Sequence, residues 1–430
     1  MKKLLALILV SVVLLTACSS GGDNKSGNGG EPSATNKITV WTWDPNFNIK
    51  AMNIAIDSYK SVNPDLKVDI IENAQNDIVQ KLNTGMSSGT TKGLPNIVLI
   101  EDYRAQSFLQ AYPDMFYDLS DKFKAEDFAE YKLGPTSLDG KHYGIPFDSG
   151  AAGIYVRTDY LEQAGYTLDD LQNITWEQYI EIGKKVKEKT GKAWVSLDPT
   201  DLGLIRMMVQ SAGSWYLKDD GKTANIAGND AMREAFMVYK SIMDANFVKV
   251  HSDWSSLVAN YNSGDVAAIT TGNWFTPSIM QETSQSGKWG IAPMPRLSGQ
   301  AKSVNASSIG GSSWYVLNVP GKEAAAEFLA KTFGSDADLY QKFVTEVGAI
   351  GSYKPAAEGE AYKAGSEFFG GQHIVSDFAK WTAEVPKINY GMHTYAIEDI
   401  LVVEMQNFLN GKALDQVLAD AQKQADAQTK

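Results

Sequence analysis

Residues 38–43 read Ile-Thr-Val-Trp-Thr-Trp, a β-branched and aromatic run that predicts a β-strand. The apolar residues that follow recur at helical spacing, and Asn63-Pro64 ends this first helix. The alternation then continues, which gives a helix at 49–62, a strand at 66–71, a helix at 77–86 and a buried strand at 96–100. This βαβαβ order predicts a parallel sheet flanked by helices, and therefore an α/β fold.

A second series of strand and helix patterns begins after residue 150. Its predicted segments are a strand at 152–156, amphipathic helices at 175–189 and 230–245, a strand at 266–270 and a helical stretch over 391–428. The chain has 430 residues, which exceeds the roughly 250–300 residues at which one hydrophobic core usually divides. We therefore expect two lobes.

The N-terminal residues have the pattern of a secretory leader. Two lysines precede an apolar run at 4–15, which is shorter than the roughly 20 residues of a membrane-spanning helix. The run ends in Leu15-Thr16-Ala17-Cys18, which resembles the cleavage site of bacterial lipoproteins, in which the cysteine is acylated. We expect a signal peptide over 1–17, lipid attachment at Cys18 and a flexible tether over 18–36. A chance cysteine in an ordinary leader is the alternative.

Charge and cysteine content exclude several classes of function. The formal net charge of −12 disfavours nucleic acid and anionic lipid as partners, because like charges repel. With Cys18 acylated, no thiol remains for a disulfide, a Cys-based metal site or a nucleophile. The four histidines have no metal-ligand spacing, and we expect neither a metal nor a cofactor. The motif at 85–89, Gly-Met-Ser-Ser-Gly, follows a helix and so lacks the strand-to-helix context of a serine hydrolase.

Several blocks of the sequence, in order and at plausible spacing, match a known family. They are Asn63-Pro64-Asp65, Leu94-Pro95-Asn96-Ile97-Val98 with Glu101-Asp102, Tyr143-Gly144-Ile145-Pro146-Phe147-Asp148 with Ile154-Tyr155-Val156-Arg157, Thr175-Trp176-Glu177, Tyr261-Asn262-Ser263-Gly264-Asp265-Val266-Ala267 with Thr271-Gly272-Asn273-Trp274, Ala292-Pro293-Met294-Pro295 and Gly310-Gly311-Ser312-Ser313-Trp314. Through these blocks the chain resembles the extracellular solute-binding lipoproteins (family 1) of carbohydrate ABC importers, which include the maltodextrin-binding proteins.

The resemblance implies a periplasmic-binding-protein-like fold of type II, in which two α/β lobes, each a sheet flanked by helices, are joined by crossover hinge segments. Lobe one would comprise 37–147 and 275–347, and lobe two 148–274 and 348–430. The implied function is a receptor, not an enzyme, that captures a di- or oligosaccharide in the interlobe cleft and delivers it to ABC transporter permease subunits. We expect a monomer, lipid-anchored to the cell membrane on its extracellular face, or on the periplasmic face if the cell has an outer membrane.

A sugar site needs flat apolar surfaces for the ring faces, and carboxylates or amides for the hydroxyls. Such residues stand where predicted strands end, and in open α/β sheets the binding crevice lies at the carboxyl ends of the strands. Together with the resemblance, this placement predicts the ligand-binding residues Trp43, Asp44, Asp102, Asp148, Trp215, Trp254, Asn273, Trp274, Gly310 and Gly311.

Each of these residues has a structural alternative. The tryptophans could belong to the core, as we expect for Trp41, and the glycines could form a simple turn. Asp102 and Asp148 could cap a helix or make a hinge hydrogen bond. Arg206 could reach a sugar, although a salt bridge on its helix is the simpler role.

Two other functions stay open at this point. A polyamine receptor would also use aspartate and tryptophan side chains. A surface glycosidase would use two carboxylates, for which Glu101 and Asp148 are the candidate pair. Among sugars, our first expectations are lactose-like galactosides and plant-wall xylo- or arabino-oligosaccharides.

Overall fold

The computed structural model describes residues 36–429, so the predicted signal peptide, Cys18 and the tether up to residue 35 lie outside the described residues. The strands are β1 (Lys37–Thr42), β2 (Lys67–Glu72), β3 (Ile97–Glu101), β4 (Ser137–Leu138), β5 (Lys141–His142), β6 (Gly144–Pro146), β7 (Ala152–Arg157), β8 (Val195–Leu197), β9 (Val248–Val250), β10 (Ala268–Gly272), β11 (Trp289–Pro293) and β12 (Ser312–Val316). The α-helices are α1 (Asn48–Tyr59), α2 (Gln75–Ser87), α3 (Asp102–Ala111), α4 (Glu130–Thr136), α5 (Thr158–Gln163), α6 (Trp176–Thr190), α7 (Gly203–Ser211), α8 (Asp230–Asp244), α9 (Trp254–Asn262), α10 (Thr276–Met280), α11 (Lys322–Lys331), α12 (Ala337–Lys342), α13 (Glu360–Lys363), α14 (Ile374–Glu384), α15 (Thr394–Leu409) and α16 (Leu414–Gln428).

The first sheet has five strands in the order β2-β1-β3-β12-β6. β1 pairs in parallel with β2 and β3, which is the arrangement that the βαβαβ pattern predicts. β12 runs antiparallel to β3 and β6, so the sheet is mixed. Residues 97–100 are all buried, which explains why β3 is a continuous apolar run rather than an alternating one.

The second sheet has three antiparallel strands in the order β10-β7-β11. Its central strand, β7, is buried along its whole length. β11 pairs with β7 from Trp289 to Pro293, and the chain re-enters the first sheet only in β12. The predicted return to lobe one at residue 275 is therefore wrong for β11. This strand belongs with β7, whose second edge would otherwise bury unpaired backbone groups.

One face of the second sheet packs on a helical core that includes Ile154 and Val156, whereas Tyr155 belongs to a cluster that it shares with the first sheet. In the second lobe, Trp176 and Trp194 are completely buried. The Thr175 side chain caps α6, and Gly191 ends the helix in the left-handed conformation at φ 71°. In the first lobe, Phe147 packs on Trp314 with ring centroids 5.9 Å apart.

Segments that cross between the two sheets lie side by side. An antiparallel bridge joins Asp148 to Gly351, and a second joins Ala151 to Ser308. The chain crosses near 147–151, between β6 and β7, and again near 308–311, before β12. Such short paired segments are where a hinge between two lobes absorbs its backbone rotation. Within residues 36–429, no helix has the length and apolar character needed to cross a membrane.

Candidate functional site

A cleft lies where the carboxyl ends of the first-sheet strands face the second lobe. It contains two cavities, of about 380 and 620 Å³, whose linings share Glu101, Trp254, Trp274 and Gly310. The smaller cavity, here the acidic chamber, is also lined by Ser196, Asp198, Asp201, Arg206, His251 and Asp253. The larger, here the amide chamber, is also lined by Trp43, Asp44, Asn46, Asn48, Gln75, Asp148, Gln281 and Gly311.

Two tryptophans form the wall that both chambers share. The ring centroids of Trp254 and Trp274 are 5.9 Å apart, and the Trp274 Nε1 donates a hydrogen bond to the Ile309 carbonyl oxygen at 2.9 Å. Trp254 begins α9 directly after Asp253, which caps that helix. The Trp254 residue is 52% exposed. A half-exposed ring beside a partly buried one, at the edge of a cleft, offers the flat apolar surface that a sugar ring requires.

Glycines permit the Trp274 ring to lie where it does. A Cβ at Gly272 would come within 2.2 Å of the Trp274 Nε1, and one at Gly310 within 3.2 Å. Gly310 also has a φ of 68°, which side-chain-bearing residues rarely adopt. The absence of a side chain at Gly310 therefore makes room for the tryptophan that lines the cleft.

Trp43 and Asp44 enter the amide chamber from the end of β1. Asp44 has a φ of 59°, and its Oδ1 accepts hydrogen bonds from the backbone N–H groups of Asn46 and Phe47 at 2.9 and 3.2 Å. These bonds shape the turn that leads into α1. Asp44 thus combines a structural role with a place in the lining of the cleft.

Asp148 lies at the base of the amide chamber, at the first crossover. It is 4% exposed, and its Oδ1 accepts a hydrogen bond from the Ser312 backbone N–H at 2.7 Å. Burial raises the pKa of Asp148 to about 6, although nearby Lys132 lowers it. Gly311, at φ 86°, lies beside both carboxyl residues: a Cβ there would be 3.0 Å from the Asp102 Oδ2 and 3.6 Å from the Asp148 backbone oxygen.

The acidic chamber contains charged residues that the predicted site did not include. Glu101 is the last residue of β3 and lines both chambers. The Arg206 Nη1 donates to the Glu398 Oε1 at 2.6 Å, so the simpler role expected for it, a salt bridge, coexists with a place in the cleft wall. Burial lowers the pKa of His251, whose Nδ1 lies 2.9 Å from the Ser196 Oγ.

Local sequence signals could have found the remaining carboxylates of this chamber. Asp198 accepts from the Thr200 backbone N–H, and Asp201 accepts from that of Gly203. Short Asp-x-Thr and Asp-x-Gly turns of this kind mark loops at strand and helix ends. Within residues 36–429, no cluster of His, Cys, Asp and Glu is arranged to hold a metal ion.

Asp102 does not line the cleft, contrary to its prediction as a ligand residue. Its carboxylate is buried in an ion pair with the Lys132 Nζ and accepts a hydrogen bond from the Ser313 Oγ at 2.9 Å. Asp102 begins α3, one residue after Glu101, and the change from strand to helix turns its side chain inward.

Trp215 and Asn273 are also buried away from the two chambers. Trp215 is 2% exposed, stacks on Tyr103 at 5.6 Å and donates from Nε1 to the Thr394 Oγ1. Asn273 is 1% exposed, and its Nδ2 donates to the Ser149 Oγ at the first crossover. The structure therefore places neither residue in the lining of the cleft, because Trp215 Nε1 and Asn273 Nδ2 both donate to partners inside the fold.

Known proteins resemble this chain over most of its length. The family model described as bacterial extracellular solute-binding protein matches residues 55–370. A lactose-binding protein of Rhizobium radiobacter is 43% identical over 393 residues, which are 91% of this chain and 93% of that protein. An arabinooligosaccharide-binding protein of Halalkalibacterium halodurans is 22% identical over 87% of this chain and 85% of that protein.

A solved structure shows the same architecture. The ABC transporter associated binding protein of B. animalis subsp. lactis Bl-04, in complex with β-1,6-galactobiose, has a TM-score of 0.71 and 24% identity, over 90% of this chain and 96% of that one. This likeness confirms the predicted two-lobe α/β fold.

Proposed function

Because this chain belongs to the bacterial extracellular solute-binding protein family, we propose that it captures a di- or oligosaccharide in the interlobe cleft and delivers it to the permease of an ABC transporter. The observation that carries this proposal is the Trp254–Trp274 wall, with carboxylates facing the same space on either side of it. Rings bind the apolar faces of a sugar, and carboxylates accept from its hydroxyls.

A lactose-like galactoside is the preferred ligand in this proposal. The support is the 43% identity to a lactose-binding protein over nearly the full length of both chains. The relation to an arabinooligosaccharide-binding protein is more distant, at 22% identity. The combined chambers are also larger than one sugar ring needs, which favours a disaccharide or a longer chain.

Capture proceeds by closure of the two lobes around the sugar. Glu101 and Trp43 belong to the first lobe, whereas Arg206, Trp254 and Trp274 belong to the second. A sugar that contacts both walls gains interactions only when the cleft is shut, so its binding shifts the equilibrium toward the closed form. The permease then distinguishes loaded from empty receptor by shape.

One experiment distinguishes a sugar receptor from a polyamine receptor and from a glycosidase. We would titrate the purified protein calorimetrically with lactose, other galactosides, arabino- and xylo-oligosaccharides and spermidine, and recover each ligand afterwards. The proposal predicts saturable binding of a galactoside that is recovered intact. Binding of spermidine alone would indicate a polyamine receptor, and cleaved oligosaccharide would indicate a glycosidase.

We propose that acylated Cys18 anchors the protein to the membrane. Two or more acyl chains hold a protein to a membrane without a spanning helix. Cys18→Ser should leave folding and sugar affinity unchanged, because the residue precedes the folded lobes. It should also release the protein from the membrane or leave the leader uncleaved, as membrane fractionation would show. Normal membrane retention of the variant would contradict the proposed anchor.

A further inference from the structure

The Glu101 carboxylate is held from across the cleft by a residue of the other lobe. Tyr395 lies in the first turn of α15, whose buried residues Ile397 and Leu401 belong to the second-lobe core. Its hydroxyl donates a hydrogen bond to the Glu101 Oε2. Glu101 ends β3 of the first sheet, so this bond joins the two lobes beside the chambers.

Arg104 completes the support of Glu101 and of the tyrosine ring. Its guanidinium carbon lies 3.8 Å from the centroid of the Tyr395 ring, and its Nε lies 3.5 Å from the Glu101 Oε2. Burial and the charge of Glu101 raise the pKa of Tyr395, so the phenol keeps its proton and acts as the donor.

These contacts leave one carboxylate oxygen for a ligand. The Tyr395 hydroxyl and the Arg104 guanidinium both lie against Oε2. Among residues 36–429 no group donates a hydrogen bond to Glu101 Oε1. Glu101 lines both chambers, and 14% of its side chain is exposed. A carboxylate that is fixed through one oxygen presents the other in a set direction, which reduces the ordering cost of binding a hydroxyl.

The same helix turn also supports the basic wall of the acidic chamber. Glu398, three residues after Tyr395, accepts from the Arg206 Nη1 at 2.6 Å and from the Tyr216 hydroxyl at 3.0 Å. The N-terminal turn of α15 therefore backs an acidic and a basic side chain that line the cleft, one from each lobe.

From this geometry we infer that Tyr395 is a positioning residue of the sugar site, which acts through Glu101 and links the hydroxyl contact of that carboxylate to closure of the lobes. The inference rests on the proposed function. Tyr395 does not contact the sugar itself. Its hydroxyl donates to Glu101 Oε2, and Glu101 Oε1 accepts a hydrogen bond from a sugar hydroxyl.

The test is a double-mutant cycle measured by calorimetry with lactose, on the full protein. Tyr395→Phe removes the hydroxyl and keeps the ring over Arg104, and it should weaken binding about tenfold, as loss of a hydrogen bond to a charged group does. In a Glu101→Gln background the same change should cost less than about twofold, because the two residues act as a unit. The matched control is Tyr239→Phe, since the Tyr239 hydroxyl is buried with no partner among the described residues. It should leave affinity unchanged.

The outcomes separate the inference from the proposed function. Equal losses from Tyr395→Phe in both backgrounds, or no loss in the wild-type background, would overturn the positioning role while sugar capture stands. If the wild-type protein binds no sugar, the proposed function fails and the inference fails with it. A loss that disappears in the Glu101→Gln background, with an unchanged melting temperature of the sugar-free protein, is the expected result.

Discussion

Replacing Trp274 with alanine should weaken binding of the sugar at least tenfold, which is about 1.4 kcal/mol or more. The ring lines both chambers and stands against Trp254, so its loss removes one of the two indole surfaces that the chambers share. Trp274 is only partly buried and packs at the margin of the core rather than within it. The melting temperature of the sugar-free protein should therefore stay within a few degrees, as calorimetric titration and a thermal melt would show together.

Trp274→Phe is the matched control for this prediction, because it keeps a flat ring but removes the indole hydrogen bond to Ile309 and part of the aromatic surface. Its affinity should lie between those of the wild type and the alanine variant. A large drop in the sugar-free melting temperature for Trp274→Ala, with affinity nearly intact, would instead place this side chain in the core.

Replacing Lys132 with methionine should destabilise the protein by about 3–5 kcal/mol at neutral pH, the cost of leaving a buried charge without its partner. The lysine side chain is fully buried, and its Nζ pairs with the Asp102 carboxylate, of which 3% is exposed. The same positive charge also lowers the pKa of Asp148. Chemical denaturation of the variant measures the loss.

The loss should shrink on acidification, because burial raises the pKa of Asp102 and Asp148, the latter to about 6. Between about pH 4 and 6 the folded protein retains a proton on Asp148 that the unfolded chain has released, so this group lowers the free energy of unfolding as the pH rises. Without Lys132 both carboxyls protonate more readily, and the variant should recover stability at pH 5 relative to pH 8.

Lys184→Met, on an exposed lysine paired with Glu181, is the control and should change stability by less than about 0.5 kcal/mol at either pH. An equal loss for Lys132→Met at both pH values would contradict this account.

The first sheet could be predicted from sequence because its signals are local. Strand β1 and the helix that follows it differ in the period of their apolar residues, and that period is visible within a dozen positions. The place of β11 could not be predicted in this way. Its partner β7 lies more than 130 positions earlier, and an apolar run such as Trp289–Pro293 suits a strand of either sheet.

The candidate site shows the same division between local and long-range information. After β3 the predicted ligand residue is Asp102, but Glu101 lines the cleft and Asp102 turns inward. These two adjacent side chains differ in direction because the backbone changes from strand to helix at Asp102. Trp215 was predicted to bind the ligand, yet it is buried against its hydrogen-bond partner Thr394, which lies 179 residues away.

The measurement that tests the central claim most directly is a crystal structure of the protein with lactose bound. We predict a closed form with the sugar in the two chambers, one ring against Trp274 and a hydroxyl within hydrogen-bonding distance of Glu101 Oε1. A lactose molecule bound outside the interlobe cleft, or an occupied cleft in which neither Trp274 nor Glu101 contacts the sugar, would contradict the account.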